Sequence, residues 1–277
     1  MKKIMSIISI VLLLLAGLAL LFYPDISNWL AKRSHSTAIQ EYSEGLFEMT
    51  AGQMEAEKQK AKEYNDALSG AAIKDPFIPE SGMALPENYA TVLNLNGTIG
   101  YIEIPEINVS LPIYHGTGEV ILKRGAGHME MTAFPIGGEG NHTVLTGHTG
   151  LPSARLFTDL DQLVIGDVFY IHVLDETLAY EVDQILVVQP ENTEDLRPVK
   201  GKDYVTLITC TPYGINSHRL LIRGTRISYT ADEMEQAEKI VKNPINWRVL
   251  IIVSSVTMSV AGFGICKLVN RRKKRGG

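Results

Sequence analysis

Three patterns of hydrophobic and polar positions follow one another along the chain. Apolar residues run almost unbroken from Ile4 to Phe22 and again from Val249 to Cys266. Each run is long enough to cross a hydrocarbon core of roughly 30 Å at about 1.5 Å per residue. Between the two runs, a stretch with helical spacing precedes a series of short runs typical of strands. The pattern therefore predicts a helical region and a β domain between two membrane segments.

The N-terminal run predicts an uncleaved anchor rather than a signal peptide, because it is long for a signal-peptide core and no small-residue cleavage motif follows it. The C-terminal run predicts a second spanning helix, since Trp247 and Arg248 stand at one edge and the basic cluster 271–275 lies beyond the other. A buried soluble helix is the alternative for this second run. With both basic ends inside the cell, residues from about 24 to 246 would lie outside.

Residues 30–69 predict helical structure, with apolar side chains at helical spacing followed by a segment rich in Glu, Lys and Ala. Gly45 and Gly52 weaken the pattern, so two helices fit this stretch. Residues 70–90 are rich in Gly and Pro, which break regular elements. This stretch is expected to be a long ordered loop or linker.

Strand-like sequence begins at Ile99, where short runs rich in Val, Ile, Thr and Tyr alternate with turn signals. A short helix is expected from Ser153 to Leu160, with Ser153 as its N-cap. Seven or eight strands at this spacing predict a closed barrel or a sandwich. The runs cover residues 99–104, 109–114, 143–146, 168–173, 178–188, 205–209 and 219–229.

The distribution of charge along the chain is more informative than the net charge. The 277 residues carry a formal net charge of −5, but all 31 acidic residues lie within residues 24–246, together with only 17 basic ones. That stretch therefore carries −14, whereas the two ends carry nine basic residues and no acidic one. An acidic body argues against nucleic acid as a partner, and the basic, apolar ends indicate a membrane.

The two cysteines fall into different parts of the chain. Cys266 lies in the C-terminal apolar run, so Cys210 is alone in the expected exported region and cannot form an intramolecular disulfide there. Cys210 is either an idle buried thiol or a reactive one. It ends a run of strand residues before a loop with a proline, and Arg219 opens the next run. A hairpin would bring the two side by side, where an Arg can lower the pKa of a thiol or bind a developing oxyanion.

A nucleophilic thiol also needs an acid or base partner, and three histidines are candidates. His142 and His148 flank one predicted strand, and His218 directly precedes Arg219. Taken singly, each of them is more often a surface or hydrogen-bonded residue than a catalytic one. Spacing alone does not choose among them.

Residues 206–210, TLITC, resemble the TLxTC signature of sortases, the membrane-bound cysteine transpeptidases of Gram-positive bacteria. Three further pieces occur in the order of that family: GYIEIP at 100–105, LTGH at 145–148 and HRLLIRG at 218–224. The resemblance implies a mainly β fold, an eight-stranded sortase-type β-barrel with N-terminal helices and a membrane helix at each end. It also implies that the catalytic residues are His148, Cys210 and Arg219, that Thr209 and His218 are substrate-binding or supporting residues, and that His142 is supporting or incidental.

The stretches TLITCTPYGINSHRLL and GHTGLPSARLFTDLDQL resemble class C sortases, the pilin polymerases. Class C enzymes often have a second, C-terminal membrane helix and an N-terminal lid with a DP(F/W) motif. Asp75, Pro76 and Phe77 fit that motif. By resemblance, Asp75 would pair with Arg219 and Phe77 would cover Cys210.

The resemblance divides the chain into a membrane anchor, a helical region, a lid loop, a β-barrel catalytic domain, a linker, a second membrane helix and a basic cytoplasmic tail. These segments are residues 1–23, 24–69, 70–90, 91–232, 233–246, 247–270 and 271–277, in that order.

The implied reaction is cleavage of an LPxTG-like sorting signal between Thr and Gly, followed by transfer of the acyl group to a pilin lysine. The implied partners are LPxTG-bearing pilin or surface proteins and the membrane, and neither a cofactor nor a metal ion is expected. The alternatives are a housekeeping sortase, an L,D-transpeptidase and a non-catalytic exported scaffold or adhesion protein. L,D-transpeptidases place a His close before the Cys, whereas Leu207, Ile208 and Thr209 precede Cys210 here.

Overall fold

The computed structural model describes residues 2–68, Asp75, Phe77 and residues 88–229. All of these residues belong to one compact unit, which extends to Ile240. Within them the strands are β1 Thr98–Ile104, β2 Val109–His115, β3 Ala126–His128, β4 His142–Thr146, β5 Val168–Val173, β6 Glu176–Val188, β7 Tyr204–Thr211 and β8 His218–Ile227. They form a closed barrel in the order β1-β2-β3-β4-β7-β8-β6-β5, which confirms the predicted eight-stranded barrel with N-terminal helices.

Two helices precede the barrel, α1 (Lys2–Glu48) and α2 (Ala51–Ala67), in agreement with the two-helix prediction. They are separated at Thr50, which forms a capping box with Gln53. The Gln53 backbone N–H donates to Thr50 Oγ1 at 3.3 Å, and the Thr50 backbone N–H donates to Gln53 Oε1 at 2.8 Å. These bonds satisfy amide groups that the start of a helix otherwise leaves unpaired. A third helix, α3 (Glu119–Leu122), is a single turn between β2 and β3.

Helix α1 packs against the barrel along its second half. The backbone N–H of Leu174 donates to the buried Tyr42 hydroxyl at 2.7 Å, and Ala31 packs against the barrel core. Burial lowers the pKa of His35 to about 4, and the charge of nearby Lys32 acts in the same direction. The second half of α1 is thus an integral part of the folded unit.

The structure does not confirm either of the expected membrane segments. Helix α1 runs without a break across the expected boundary at residue 23, and Pro24 lies inside it. In the part of the chain that the structure describes, no helix satisfies both the length and the apolarity needed to cross a membrane, so the N-terminal anchor is not confirmed. The expected linker, second membrane helix and basic tail, residues 233–277, lie outside the described residues.

Successive residues of β7 belong to two different apolar clusters, because side chains alternate between the faces of a strand. Leu207 lies in the large core inside the barrel, with Ile222 of the neighbouring β8. Ile208 belongs to a smaller cluster on the opposite face. We call this the outer cluster, and it consists of Met129, Val144, Leu196, Ile208 and Leu221.

Two local predictions differ from the structure. The helix expected at Ser153–Leu160 is wrong: these residues form turns, followed by a 3-10 turn at Leu160–Gln162. Leu156 has φ of 41°, a left-handed conformation that interrupts a right-handed helix. The strand β3 was missed because it has three residues and a central glycine. Gly127 is required there, since a Cβ atom would lie 2.4 Å from the carbonyl oxygen of Gly116.

Candidate active site

The hairpin of β7 and β8 places the lone described cysteine beside an arginine. Cys210 and Arg219 are register partners, and Thr211 pairs with His218 one step closer to the turn. The turn is closed by the backbone N–H groups of Ile215 and Asn216, which donate to the Pro212 carbonyl oxygen at 3.0 and 2.9 Å. The side-by-side arrangement expected from the sequence is therefore present.

The guanidinium of Arg219 is buried, and each of its three nitrogens donates at least one hydrogen bond. Its Nε and Nη2 atoms donate to Asp75 Oδ2 and Oδ1 at 2.6 and 3.1 Å. Its Nη1 atom donates to the carbonyl oxygens of Asn216 and His218 at 3.3 and 3.2 Å. Asp75 and Arg219 are only 5% and 8% exposed, so a bidentate ion pair is held out of water.

Phe77 extends this contact to the predicted catalytic histidine. The guanidinium carbon of Arg219 lies 4.9 Å from the centroid of the Phe77 ring, and the His148 ring centroid lies 5.8 Å from it. The Phe77 N–H donates to Asp75 Oδ1 at 2.8 Å, which orders the segment locally. Phe77 also packs against the outer cluster. Pro76, the middle residue of the motif, lies outside the described residues.

The same segment closes a small cavity beside the ion pair. The cavity is lined by Asp75 and Arg219 and by the outer-cluster residues Leu196, Ile208 and Leu221. Its volume of about 10 Å³ is at the limit for one water molecule. A peptide cannot occupy this space while Asp75 is in place.

His148 reaches the site through a parallel pairing of strands. Thr146 and Ile208 are partners in β4 and β7, and the Gly147 N–H donates to the Ile208 carbonyl oxygen at 3.0 Å. Thr209 Oγ1 donates to the Gly147 carbonyl oxygen at 2.7 Å. These bonds place His148 directly after β4, at the end of β7 that carries Cys210. Thr209 thus ties these two strand ends together.

The backbone before His148 also requires a glycine. A Cβ atom at position 147 would lie 2.6 Å from Cδ2 of the buried Phe157, which packs over this position. The Phe157 N–H in turn donates to the carbonyl oxygen of His148 at 3.1 Å. The turn segment that replaces the expected helix therefore packs on Gly147 and hydrogen-bonds the backbone of His148.

Burial raises the pKa of the Cys210 thiol above its usual value. The positive charge of Arg219 acts in the opposite direction, and the carboxylate of Asp75 adds to the effect of burial. At neutral pH the thiol is consequently held in its protonated form while Asp75 lies against Arg219. Removal of Asp75 would leave Arg219 as the charge that acts on the thiol.

The other two candidate histidines make different contacts. His142 is buried, with Nε2 2.7 Å from Thr206 Oγ1 and Nδ1 3.1 Å from the Arg197 carbonyl oxygen. Burial lowers its pKa to about 4, so it stays neutral at physiological pH. The ring of His218 contacts Gln189 and Ser217, and it meets the site through its backbone carbonyl, which binds Arg219.

One residue beside the site was not found from the sequence. Glu119, at the start of α3, lies with Oε2 3.1 Å from Nε2 of His148. No motif marked it, because its 29-residue separation from His148 is bridged only by the folded barrel.

Comparison with known proteins agrees with this geometry. A family profile described as Sortase domain matches residues 102–227. Sortase A of Streptococcus agalactiae serotype III (strain NEM316) is 31% identical over 206 residues, which are 73% of this chain and 76% of the relative.

Two solved structures are more similar still. Sortase C of Streptococcus pneumoniae is 47% identical with a TM-score of 0.65, and the match covers 70% of this chain and 98% of that one. Sortase C1 of Streptococcus agalactiae is 44% identical with a TM-score of 0.66, over 72% of this chain and 98% of that one. With a cysteine, an arginine and a histidine brought to one end of such a barrel, the chain belongs to the sortase family, as a cysteine transpeptidase of class C.

Proposed function

We propose that this sortase cleaves an LPxTG-like sorting signal between Thr and Gly and joins the acyl group to a lysine of a pilin subunit, which polymerises pili. The observation that carries the proposal is that Cys210 pairs with Arg219, whose guanidinium donates to the carboxylate of Asp75. The similar sortase C of Streptococcus pneumoniae is described in connection with pilin substrate specificity, which favours a pilin substrate.

In the first step, the Cys210 thiolate attacks the carbonyl carbon of the Thr residue. The Arg219 donors, released from Asp75, bind the substrate or the oxyanion that forms. His148, as imidazolium, gives its proton to the departing Gly nitrogen while the C–N bond breaks. The product is a thioester on Cys210 and a free amine on the released peptide.

In the second step, a neutral lysine amine attacks the thioester carbonyl. The C–S bond breaks, an isopeptide bond forms, and the proton lost by the amine returns to His148. The thiolate is regenerated, so the cycle needs no cofactor. Each bond broken is matched by one formed at the same carbonyl carbon.

We propose that Asp75, Pro76 and Phe77 form a lid that is closed at rest. Phe77 packs on the outer cluster, and Asp75 occupies the donors of Arg219. An apolar residue of the sorting signal would take the place of Phe77, and a substrate oxygen would take that of Asp75. Substrate binding and lid opening are then one event, because both use the same contacts.

We further propose that the catalytic domain lies outside the cell, with both termini in the cytoplasm. The support is the sequence: apolar runs at residues 4–22 and 249–266, with basic residues at both ends of the chain. A membrane location would present the site to substrates that are themselves exported.

The experiment uses the full-length protein in detergent micelles, mixed with an LPxTG-bearing pilin. Mass spectrometry is expected to find a Thr–Lys isopeptide between pilin subunits, and Cys210→Ala is the matched control. Anchoring to the cell wall is the second candidate, favoured by the 31% identical sortase A. Transfer only to a peptidoglycan-type amine would establish that alternative. The Asp75→Ala variant removes the lid carboxylate from Arg219, so a closed lid cannot explain inactivity in this variant. If it neither cleaves nor transfers the signal, the proposed function is wrong.

A further inference from the structure

The proposed chemistry leaves one contact of His148 without a role. Nε2 of His148 lies 3.1 Å from Oε2 of Glu119, on the side of the ring away from its backbone. The His148 side chain is 17% exposed, whereas the Glu119 side chain is 61% exposed. Among the described residues, Glu119 is the hydrogen-bond partner of the ring.

The contact determines which ring nitrogen carries a proton. The pKa of Glu119 is lowered, chiefly by its hydrogen bond with Lys123 and further by His148, so the carboxylate is ionised and can only accept. Nε2 must therefore be the donor, in the neutral ring as well as in the imidazolium. Nδ1 is then the nitrogen that exchanges a proton with the substrate.

The ring is also held on its face, but only while the lid is closed. Phe77 packs against it with centroids 5.8 Å apart and an angle of 41° between the planes. When Phe77 leaves, Glu119 is the contact that remains. The need for an orienting group is thus greatest in the open, reactive state.

We propose that Glu119 is a positioning residue for His148, one that holds the proton on Nε2 and keeps Nδ1 directed to the scissile bond. This inference rests on the role of His148 as general acid in the proposed function.

Other charged and titratable groups lie near the ring. Lys123, which directly follows α3, binds Oε1 of Glu119 at 2.9 Å and offsets part of its charge. Arg219 on β8 and Asp75 in the lid reach the ring through Phe77, and Cys210 is the register partner of Arg219 on β7. Asp75 and Arg219 neutralise each other in the closed state, so Glu119 is the negative charge in direct contact with the imidazole.

The test measures single-turnover acylation of Cys210 by an LPxTG peptide in the full-length Asp75→Ala background, from about pH 5 to 9, where histidine titrates. Glu119→Gln keeps an acceptor and removes the charge, whereas Glu119→Ala removes both. We expect Glu119→Gln, which can still accept from Nε2, to acylate faster than Glu119→Ala. We expect Glu119→Ala to slow acylation by roughly 10- to 100-fold, as loss of an orienting partner does elsewhere.

A second readout is the tautomer of His148, measured by ¹⁵N NMR. The parent should show the Nε2–H form, and Glu119→Ala a mixture with Nδ1–H. Glu106→Gln, an exposed carboxylate at the start of another short helical turn, is the control for a lost surface charge and should leave both readouts unchanged.

Equal acylation rates in Glu119→Ala and its Asp75→Ala parent, or an unchanged tautomer in Glu119→Ala, would overturn the inference. Failure of the proposed function gives a different result. If His148→Ala itself acylates at the parental rate, the general-acid role is wrong whatever Glu119 does.

Discussion

Asp75 and Arg219 form a bidentate ion pair in which a loop carboxylate covers the guanidinium beside the reactive thiol. The two residues are 144 positions apart in sequence, and both are nearly inaccessible to water. A buried pair of this kind is weak evidence for stability, because desolvation cancels much of the attraction. Its clear consequence is electrostatic: the carboxylate opposes the effect of Arg219 on the pKa of Cys210.

The lid can be tested by its effect on thiol reactivity. Asp75→Ala with Phe77→Ala is expected to accelerate alkylation of Cys210 at neutral pH, since loss of the carboxylate lowers the pKa of the thiol and a larger fraction of it is then thiolate. The labelling curve should move to lower pH, because Asp75 raises the thiol pKa. The readout is peptide-level mass spectrometry in a Cys266→Ser background. Asp66→Ala, an exposed carboxylate on α2, is the control, and equal rates in all variants would show that the segment is not a lid.

Polymerisation tests the assigned chemistry. Cys210→Ala should abolish pilus polymers in cells, and Arg219→Ala should nearly do so, because Arg219 is the residue paired with Cys210 in the β7–β8 register and supplies the donors for the oxyanion. His218→Ala is the neighbouring control. Its ring contacts only Gln189 and Ser217 among the described residues, so activity should change by less than about threefold. Intact polymer ladders from the Cys210→Ala strain would contradict the assignment.

Gly147→Ala should disturb the approach to His148. The new methyl group would lie 2.6 Å from the buried Phe157 ring, and overpacking of this kind costs about 1–3 kcal/mol of unfolding free energy. Urea unfolding followed by fluorescence measures the change. Gly52→Ala is the control without a clash: it has open space in the first turn of α2 and should not lower the free energy of unfolding. Partial rescue of Gly147→Ala by Phe157→Leu would identify the steric cause.

Thr209→Val should weaken the link between the two strand ends that carry the site. It removes the hydrogen bond to the Gly147 carbonyl oxygen and leaves that oxygen buried, at a cost of about 1–3 kcal/mol. Thr209→Ser keeps the hydroxyl and should stay close to the parent. We also expect a lower rate of peptide cleavage in the Val variant, because His148 follows Gly147 directly. Equal cleavage rates in the Val and Ser variants would show that this bond does not position the histidine.

Acid should destabilise the fold through buried histidines. The folded-state pKa of His142 is lowered to about 4 by burial, from about 6.5 when unfolded, so the unfolded chain binds more protons between these values. Stability therefore falls as pH drops from about 6.5 to 4, by about 1.4 kcal/mol per pH unit for this residue at full effect. His142→Gln should flatten the pH dependence of the unfolding free energy relative to the parent. The difference between this variant and the parent is the test, since carboxylates contribute equally to both, and parallel curves would contradict the expectation.

Much of the barrel followed from the alternation of short β-type runs with turns. Seven strands were found within a few residues of their true ends. The three-residue β3 carries too little pattern to be seen, and its place depends on pairing with β2 and β4. The segment at Ser153–Leu160 has helix-compatible residues, but burial of Phe157 against Gly147 overrides local propensity.

The candidate site was also predictable only in part from the sequence. The pairing of Cys210 with Arg219 was predictable because a hairpin is local, whereas spacing alone left three histidines open. The structure separates them by burial and by strand pairing: His142 lies in a closed hydrogen-bond network, and His148 stands at the end of β4. Glu119 was invisible for a physical reason, since its contact depends on how α3 sits on the closed barrel.

The parallel pairing of β4 with β7 also has a consequence for how the chain becomes active as it folds. A hairpin of neighbouring strands forms on a microsecond scale, so the thiol and the guanidinium can meet early. The imidazole joins them only through a contact that spans 62 residues, as in the bond from Thr209 to Gly147, and such non-local parallel pairings form late. A partly folded chain would thus carry the Cys210 thiol without His148 beside it. The β4–β7 pairing that forms late would then also complete the active site, so acyl transfer reports completion of the barrel.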